Sequence, residues 1–404
     1  MNVEVRPVAN GDEFYEAFMV IGQYFGMEQT PELLDRFQKL IPLERLHAAF
    51  EDGLIVGGAA AFPFDLSVPG GALACAGTTV VGVAPTHRRR GVLNAMMRAH
   101  LDDAHERGEP LAALWASEPT IYGRFGYGCG GYAGSVAVSA ERTAFARPFE
   151  RRGRMRLVEH DEARTVFPPL WAALARERPG VFTRSPEWWE LRVFSDPPER
   201  RGGAGPKRFA LLELDGEPAG YAIYRHQMSF ANFVSTGKVA VVEAIATSPQ
   251  ANAELWRYLL DIDWVATIET SLVPPDHPLF FLLADTRRMA YRPADSLWVR
   301  LLDVGAALSG RAYADDDAIV FDVTDTFCPW NEGTWKLAAG VAERTDESPD
   351  LRLDVRELGS AYLGWIGFRQ LAQGGGVEEL RQGALERADR VFHYGLAPWC
   401  PEIF

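Results

Sequence analysis

Apolar positions in the first 115 residues recur with two periods: the alternation typical of strands and the spacing of three to four residues typical of helices. Phe14, Phe18 and Ile21, for example, share one face of a helix that Asp12 can cap. The predicted elements are a strand at 3–8, helices after Asp12 and from Thr30, strands at 46–50, 54–62 and 73–83, a helix that begins near Gly91 and a strand at 111–115. The last strand is apolar on both faces, as a central parallel strand is. This order predicts an α/β domain with a mixed sheet.

The same order returns in part beyond an arginine-rich linker at 145–156. Helical spacing at 166–175 and 188–194 precedes strands at 209–214 and 219–224 around an Asp215-Gly216 turn, a strand at 239–246 and a helix at 251–261. We interpret this segment as a degenerate duplicate of the first domain. The remainder predicts an α+β domain, with strands at 319–323, 333–337 and 351–355 and helical spacing at 355–362, 366–372 and 377–385.

The turn after the strand at 73–83 carries the candidate chemistry. It has the sequence Thr86-His87-Arg88-Arg89-Arg90-Gly91, so a strand, a basic turn with one glycine and a helix follow one another. Amide groups at a helix N-terminus bind phosphate, and arginine side chains add cationic forks. Gly91 lets a ligand approach the backbone without a Cβ in the way. The pattern predicts a phosphate-binding turn, with a solvated arginine run ahead of a surface helix as the alternative.

Composition argues against several classes of protein. A count of 41 basic against 55 acidic residues gives a net charge of −14, which argues against a nucleic-acid partner. The four cysteines contain no C-x-x-C pair, so we expect neither a metal site nor disulfides, and a cytoplasmic location is the simplest. No apolar run approaches the roughly 18 residues of a membrane span, and the first seven residues do not have the pattern of a signal peptide.

Two further stretches are candidates for chemistry. The run Ser117-Glu118-Pro119-Thr120-Ile121-Tyr122 has the pattern of a helix cap and first turn just past the carboxyl end of a strand, where α/β sheets bind ligands. Packing in the core is the alternative role for Tyr122. The chain ends in Trp399-Cys400-Pro401-Glu402-Ile403-Phe404, an apolar and aromatic terminus that we expect to be tucked into the protein.

Five features occur together in this sequence. They are Val81-Gly82-Val83-Ala84-Pro85-Thr86-His87-Arg88-Arg89-Arg90-Gly91, Ser117-Glu118, Ile121-Tyr122-Gly123-Arg124-Phe125-Gly126-Tyr127-Gly128, Cys328-Pro329-Trp330-Asn331 and the terminal Phe404. With them the whole chain resembles the enhanced intracellular survival (Eis) family of GNAT-superfamily N-acetyltransferases. Arg88 and Gly91 fit the superfamily motif Q/R-x-x-G-x-G/A, in which Leu93 replaces the final small residue. The resemblance implies two tandem GNAT-like domains, expected at 1–145 and 146–296, and a sterol-carrier-protein-like α+β domain at 297–404.

The resemblance also implies transfer of acetyl groups from acetyl-CoA, without a metal, to a small-molecule amine such as a polyamine or an aminoglycoside, at several positions, by a homohexamer. The family's acetyl-CoA contacts fall on positions that match Val81, Gly82, Val83, Arg89, Arg90, Gly91, Val92, Leu93, Asn94, Ser117 and Glu118, to which the motif position Arg88 is added. Tyr122 would be the general acid at the coenzyme A sulfur. The α-carboxylate of Phe404 would be the general base, with Glu118 as its rival.

Two other functions stay open. A carrier-like third domain fits a non-enzymatic acyl-CoA or lipid-binding protein, because a fold alone does not determine function. The same chemistry fits a protein-lysine acetyltransferase. The second copy has Ser248-Pro249-Gln250-Ala251 where the first has Arg88 to Gly91, with neither a glycine nor a cation. We therefore expect the second copy to shape a pocket without binding coenzyme A.

Overall fold

The computed structural model of the protein describes residues 3–26 and 30–404. In chain order the first segment comprises β1 (Glu4–Pro7), α1 (Gly11–Phe25), α2 (Pro31–Leu40), β2 (Leu46–Glu51), β3 (Leu54–Val68), β4 (Gly71–Val83), α3 (Val92–Glu106), β5 (Leu111–Trp115), α4 (Pro119–Tyr122) and β6 (Gly128–Cys129). The second comprises β7 (Tyr132–Ser139), β8 (Arg154–Val158), α5 (His160–Glu177), α6 (Pro186–Trp188), β9 (Arg208–Leu214), β10 (Glu217–Gln227), β11 (Phe230–Ala231), β12 (Val234–Ser235), β13 (Lys238–Ala246), α7 (Pro249–Leu260), β14 (Thr267–Val273), α8 (Leu279–Leu282) and β15 (Arg292–Asp295). The third comprises β16 (Leu297–Leu301), α9 (Val304–Ser309), β17 (Ile319–Thr324), β18 (Gly333–Ala338), β19 (Val341–Arg344), β20 (Leu351–Asp354), α10 (Val355–Ala361), α11 (Phe368–Gln373), β21 (Val377–Glu379) and α12 (Ala384–Phe392).

Local sequence explains several of the helix starts. Thr30 caps α2 by accepting a hydrogen bond from the amide of Leu33, as predicted. The cap of α1 is Asn10 and not Asp12, because the Asn10 side chain accepts from the amide at the third helical position. Glu118, not Ser117, is the residue before α4, and its side chain makes no cap hydrogen bond in the described part of the chain.

The predicted helical segment at 377–385 is wrong over its first residues. Residues 377–379 form β21, which pairs antiparallel with β20, and α12 begins only at Ala384. Val377 lies opposite Leu353 in this ladder. The free edge of β20 takes up the segment, so pairing across the sheet overrides the helical spacing of its apolar residues.

The described chain divides into two compact units. Unit 1 contains the residues up to Gly131, Leu297–Gly395 and Ile403–Phe404, and unit 2 contains Tyr132–Ser296 and Leu396–Glu402. Unit 1 holds a seven-stranded sheet with the strand order β1-β2-β3-β4-β5-β16-β6, together with a five-stranded sheet of order β19-β18-β17-β20-β21. Unit 2 holds a seven-stranded sheet of order β15-β7-β14-β13-β10-β9-β8.

The two seven-stranded sheets share one layout, as the duplication predicts. In unit 1, β4 pairs antiparallel with β3 and parallel with β5. In unit 2, β13 pairs antiparallel with β10 and parallel with β14. The strands β7 and β16 do not follow the chain order. β7 follows β6 in the chain but pairs with β14 and β15, while β16 lies between β5 and β6.

A buried polar cluster holds β16 in the first sheet. Arg300 on β16 and Asp325 form an ion pair with an N–O distance of 2.7 Å, and both side chains are at most 1% exposed. Asn331 donates to Asp325 at 2.9 Å and to the carbonyl of Leu302 at 3.2 Å. Trp330 donates to the same carbonyl at 2.8 Å. The Cys328-Pro329-Trp330-Asn331 motif therefore has a structural role, because it anchors the third segment to the first sheet.

None of the helices in residues 3–26 and 30–404 combines the length and the apolar character that crossing a bilayer requires. In the same ranges, no three histidine, cysteine, aspartate or glutamate side chains converge as metal ligands would.

Candidate active site

A cleft opens in unit 1 where the pairing of β4 with β5 stops. The two strands pair only at 75–77 and 111–113, although β4 continues to Val83. A cavity of about 440 Å³ lies beyond this point; we call it the β4–α3 cleft. The residues that line it are Tyr24, Val81, Gly82, Val83, His87, Arg88, Arg89, Gly91, Val92, Leu93, Asn94, Ser117, Ile121, Tyr122 and Arg124. All the predicted site residues except Arg90, Glu118 and Phe404 are in this lining.

The backbone of β4 is irregular at the edge of the cleft. Its register with β3 shifts, and Val80 has a φ of 46°, which a β-branched residue rarely adopts. Such a conformation costs about 1–3 kcal/mol and is typical of functional sites. A bulge re-aims the residues that follow it. Here it precedes Val81, Gly82 and Val83, which line the cleft.

The close approach of α1 to β4 leaves little space for a side chain at Gly82. A Cβ at this position would lie 3.3 Å from the Cα of Ile21 and 3.5 Å from the Cβ of Tyr24. This packing brings Tyr24 to the rim of the cleft, where its hydroxyl donates to Glu118 at 3.0 Å. Tyr24 was not among the site residues predicted from the sequence. Its position one helical turn after Ile21, on the inward face of α1, is the sequence feature that indicates it.

The turn between β4 and α3 has the geometry of an anion site. Arg89 has a φ of 60° and Gly91 a φ of 84°, so two residues are left-handed within one turn. Gly91 is the N-cap of α3, and in the described chain no side chain caps this helix. The amides of the first helical turn therefore stay available to a ligand, beside the side chains of Arg88 and Arg89. The positive φ, not the space around it, is what requires glycine at 91.

Arg90 faces a different partner from its two neighbours. Its guanidinium binds Glu51 at 2.7 Å, and the other oxygen of the Glu51 carboxylate lies 3.0 Å from Nε2 of His87. Arg90 therefore buttresses the turn from outside the cleft.

The difference between these arginines gives a test. We expect the double substitution Arg88→Ala with Arg89→Ala to raise the Kd for coenzyme A by about ten-fold or more, because a hydrogen bond to a charged group contributes about 1.5–3 kcal/mol. Arg90→Ala is the matched control, and it should leave the Kd nearly unchanged. Isothermal titration calorimetry measures the Kd for the wild type, the double variant and the control. Equal losses in the single control and the double variant would contradict the assignment.

Tyr122 lines the same cleft as the turn. Its side chain is only 6% exposed. Burial raises the pKa of its phenol, and this effect is larger than that of the hydrogen bond with Ser117, which lowers the pKa. The phenol is therefore protonated at neutral pH. Its ring meets that of Tyr127 edge to face, with 6.1 Å between the centroids. A protonated phenol held in this way is suited to donating a proton inside the cleft.

A buried hydrogen-bond chain extends from Tyr127. Oγ1 of Thr78 lies 2.9 Å from the hydroxyl of Tyr127 and 2.8 Å from Nε2 of His100. Burial lowers the pKa of His100 to about 3. The imidazole is therefore neutral at pH 7 and has a structural role.

The low pKa of His100 predicts acid sensitivity. Between pH 6.5 and about 3 the unfolded chain binds a proton that the folded protein does not, so stability is lost as the pH falls through this window. From pH 6.5 to 5 the loss from this group is at most about 2 kcal/mol. We expect His100→Gln to lose less stability than the wild type between pH 7 and 5 in denaturant titrations. His393→Gln, at an exposed histidine, should keep the wild-type dependence; an unchanged slope in His100→Gln would contradict the prediction.

The terminal residue is buried in unit 1, as expected. Phe404 is 9% exposed, and its ring meets Phe64 of β3 edge to face at 5.0 Å. Phe64 in turn covers Gly77, where a Cβ would lie 2.5 Å from the phenylalanine ring. Gly77 is the last residue of β4 that pairs with β5. The C-terminal ring thus packs on β3, against the phenylalanine that covers the last paired residue of β4.

Family models match the chain in three places. An acetyltransferase (GNAT) domain matches residues 4–130, a second acetyltransferase (GNAT) domain matches 180–301, and a sterol carrier protein domain matches 304–401. These matches confirm the predicted fold class.

Relatives and solved structures extend over the whole chain. An uncharacterized N-acetyltransferase of Streptomyces avermitilis is 41% identical over 100% of both chains. The N-acetyltransferase Eis of Mycobacterium tuberculosis is 31% identical over 94% of each. The crystal structure of Eis1 from Mycobacterium abscessus has a TM-score of 0.87 and 32% identity, and covers 99% of this chain and 100% of its own.

Proposed function

The chain belongs to the Eis family of N-acetyltransferases, and we propose that it transfers acetyl groups from acetyl-CoA to amines of a small-molecule acceptor. One observation carries the proposal. The protonated phenol of Tyr122 lines the same cleft as the uncapped first turn of α3 and the side chains of Arg88 and Arg89. A diphosphate-binding turn and a proton donor on one cavity are what transfer from a coenzyme A thioester requires.

The chemistry assigns a task to each group. The thioester supplies an activated acetyl group, whose carbonyl oxygen gains negative charge as the amine attacks, so amides of the 81–83 segment would stabilise that oxygen. The departing sulfur needs a proton, which Tyr122 would donate from its hydroxyl. The attacking amine must lose a proton, and the α-carboxylate of Phe404 would accept it. An α-carboxyl is anionic at pH 7, with an ordinary pKa of about 3.5.

Glu118 is the competing base. Its Oε1 accepts a hydrogen bond from Tyr24, a residue that lines the β4–α3 cleft. Neither Glu118 nor Phe404 is among the lining residues, so the assignment of the base to Phe404 rests on the family resemblance.

The acceptor and the assembly are proposed from family resemblance. We propose a polyamine or aminoglycoside acceptor that is modified at more than one amine, and a homohexamer in the cytoplasm. The acidic charge balance of −14 is compatible with such cationic acceptors.

A panel assay tests the proposal. The purified protein is mixed with acetyl-CoA and, separately, with polyamines, aminoglycosides and a lysine-containing peptide, and free thiol is measured. We expect release with the small polyamines or aminoglycosides, and mass spectrometry should show more than one acetyl group per acceptor. Thiol release with the peptide alone would indicate that the acceptors are protein lysines and not small-molecule amines. Tight binding of acetyl-CoA with no release for any amine would instead favour an acyl-CoA-binding protein.

A further inference from the structure

The second copy of the fold contains its own cavity, of about 620 Å³, in unit 2. It lies where the first copy has the β4–α3 cleft. β13 pairs in parallel with β14 only at 238–241 and 267–270, and the cavity begins beyond that pairing, at Ala244 and Ala246. β13 also bulges, since its register with β10 skips Val242. Strand separation and bulge are thus kept in the second copy. We call this space the β13–α7 cavity.

The phosphate-binding features of the first copy are missing here. Helix α7 begins with Pro249, which has no amide hydrogen, and Ser248 caps the helix by accepting from the amide of Ala251 at 3.1 Å. The walls are instead largely apolar and aromatic, with Phe145, Phe149, Leu174, Leu282 and Leu396 among them. A concave, mostly apolar site of this volume that also carries polar and charged side chains is typical of a small-molecule site.

Hydrogen bonds and an ion pair connect segment 396–399 to other residues of unit 2, two of which line the cavity. Arg178 forms an ion pair with Asp276, and its Nε donates to the carbonyl of Ala397 at 2.9 Å. Asp276 accepts from the amide of Ala397, also at 2.9 Å. Trp399 donates to the carbonyl of Leu272 at 2.6 Å. Segment 396–399 is therefore fixed in place, and the charges of Arg178 and Asp276 compensate each other.

The lining carries a cation for which residues 3–26 and 30–404 supply no ion-pair partner. Arg147 lines the cavity and is exposed, and it makes no ion pair with any of the described residues. Glu177 lines the same cavity, but it is engaged within the protein. A ligand with an apolar body in the cavity would therefore place a negative group at Arg147.

We propose that the β13–α7 cavity binds an amphiphilic monocarboxylate, with a medium-length apolar chain between the aromatic walls and the carboxylate at Arg147. This site is separate from the β4–α3 cleft and does not depend on the proposed acetyl transfer. Duplication of the fold thus supplies a second ligand site, in which apolar walls replace the phosphate turn.

Calorimetry with decanoate tests the site. The titration is done below the micelle concentration and in the presence of saturating coenzyme A, so that the first cleft is occupied. We expect Ala246→Phe, which fills the cavity, and Arg147→Glu each to weaken decanoate binding by about ten-fold or more. The matched controls are Ala172→Phe, at an exposed position of α5, and Arg142→Glu, an exposed arginine that does not line the cavity. Both should bind decanoate as the wild type does.

Three results would overturn the proposal. They are the absence of decanoate binding to the wild type, unchanged binding by both cavity variants, and equally tight binding of decylammonium, which has the same chain and the opposite charge. Thermal melting checks that the variants fold. If Ala246→Phe does not fold, Arg147→Glu on the rim decides the outcome alone, because it replaces an exposed side chain.

Discussion

Replacing Tyr122 by phenylalanine is expected to lower kcat by roughly 10²–10⁴-fold, the usual contribution of a positioned general acid. The substitution removes the hydroxyl that would protonate the sulfur and keeps the ring that packs on Tyr127. The Kd for acetyl-CoA should therefore change little. Steady-state thiol release measures kcat, and calorimetry measures the Kd.

Tyr24→Phe is the matched control for this experiment. It removes another hydroxyl that lines the same cleft, the one that donates to Glu118. We expect a much smaller loss of kcat, because this phenol has no role at the sulfur. Near-normal turnover of Tyr122→Phe would remove Tyr122 from the acid role, and equal losses in both variants would indicate a general disturbance of the cleft.

A short extension after Phe404 is expected to lower kcat by a similar factor of roughly 10²–10⁴. The extension converts the terminal carboxylate into an amide, which cannot accept a proton at neutral pH. The buried ring of Phe404 can keep its contact with Phe64 only if the added residues find space, so folding is checked by melting.

Two further proteins make this result interpretable. The same extension at the N-terminus should leave kcat unchanged. Phe404→Leu keeps the carboxylate while it reduces the ring contact, and it should retain most of the activity. Full activity of the C-terminally extended chain would shift the base to Glu118, which Glu118→Gln then tests.

Local pattern was sufficient for much of the fold. The apolar spacing predicted β2 and most of β3, and Thr30 marked the start of α2. These features depend on neighbours along the chain. The prediction at 377–385 was wrong because the conformation of residues 377–379 depends on a partner strand. These residues form β21 by pairing with the edge of β20.

The candidate site likewise contains residues that the sequence identifies and residues that only the fold identifies. The strand, the basic turn and the uncapped helix are contiguous in sequence, so residues 81–94 could be chosen from the sequence alone. Tyr24 could not, because it reaches the cleft through the packing of α1 on Gly82. The role of Arg90 was also not evident from the sequence, because its ion-pair partner Glu51 lies on β2.

By itself, the sequence determined the order of elements, the duplication and the turn that would hold a diphosphate, because periodicity, capping and turn chemistry act over a few residues. Tertiary structure decided the exchange by which β16 enters the first sheet and β7 joins the second. It also decided where the pocket expected in the second copy lies and which residues line it. The reason is that strand pairing and the separation of strands depend on partners far apart in the chain, and no local pattern encodes which edge a strand will meet.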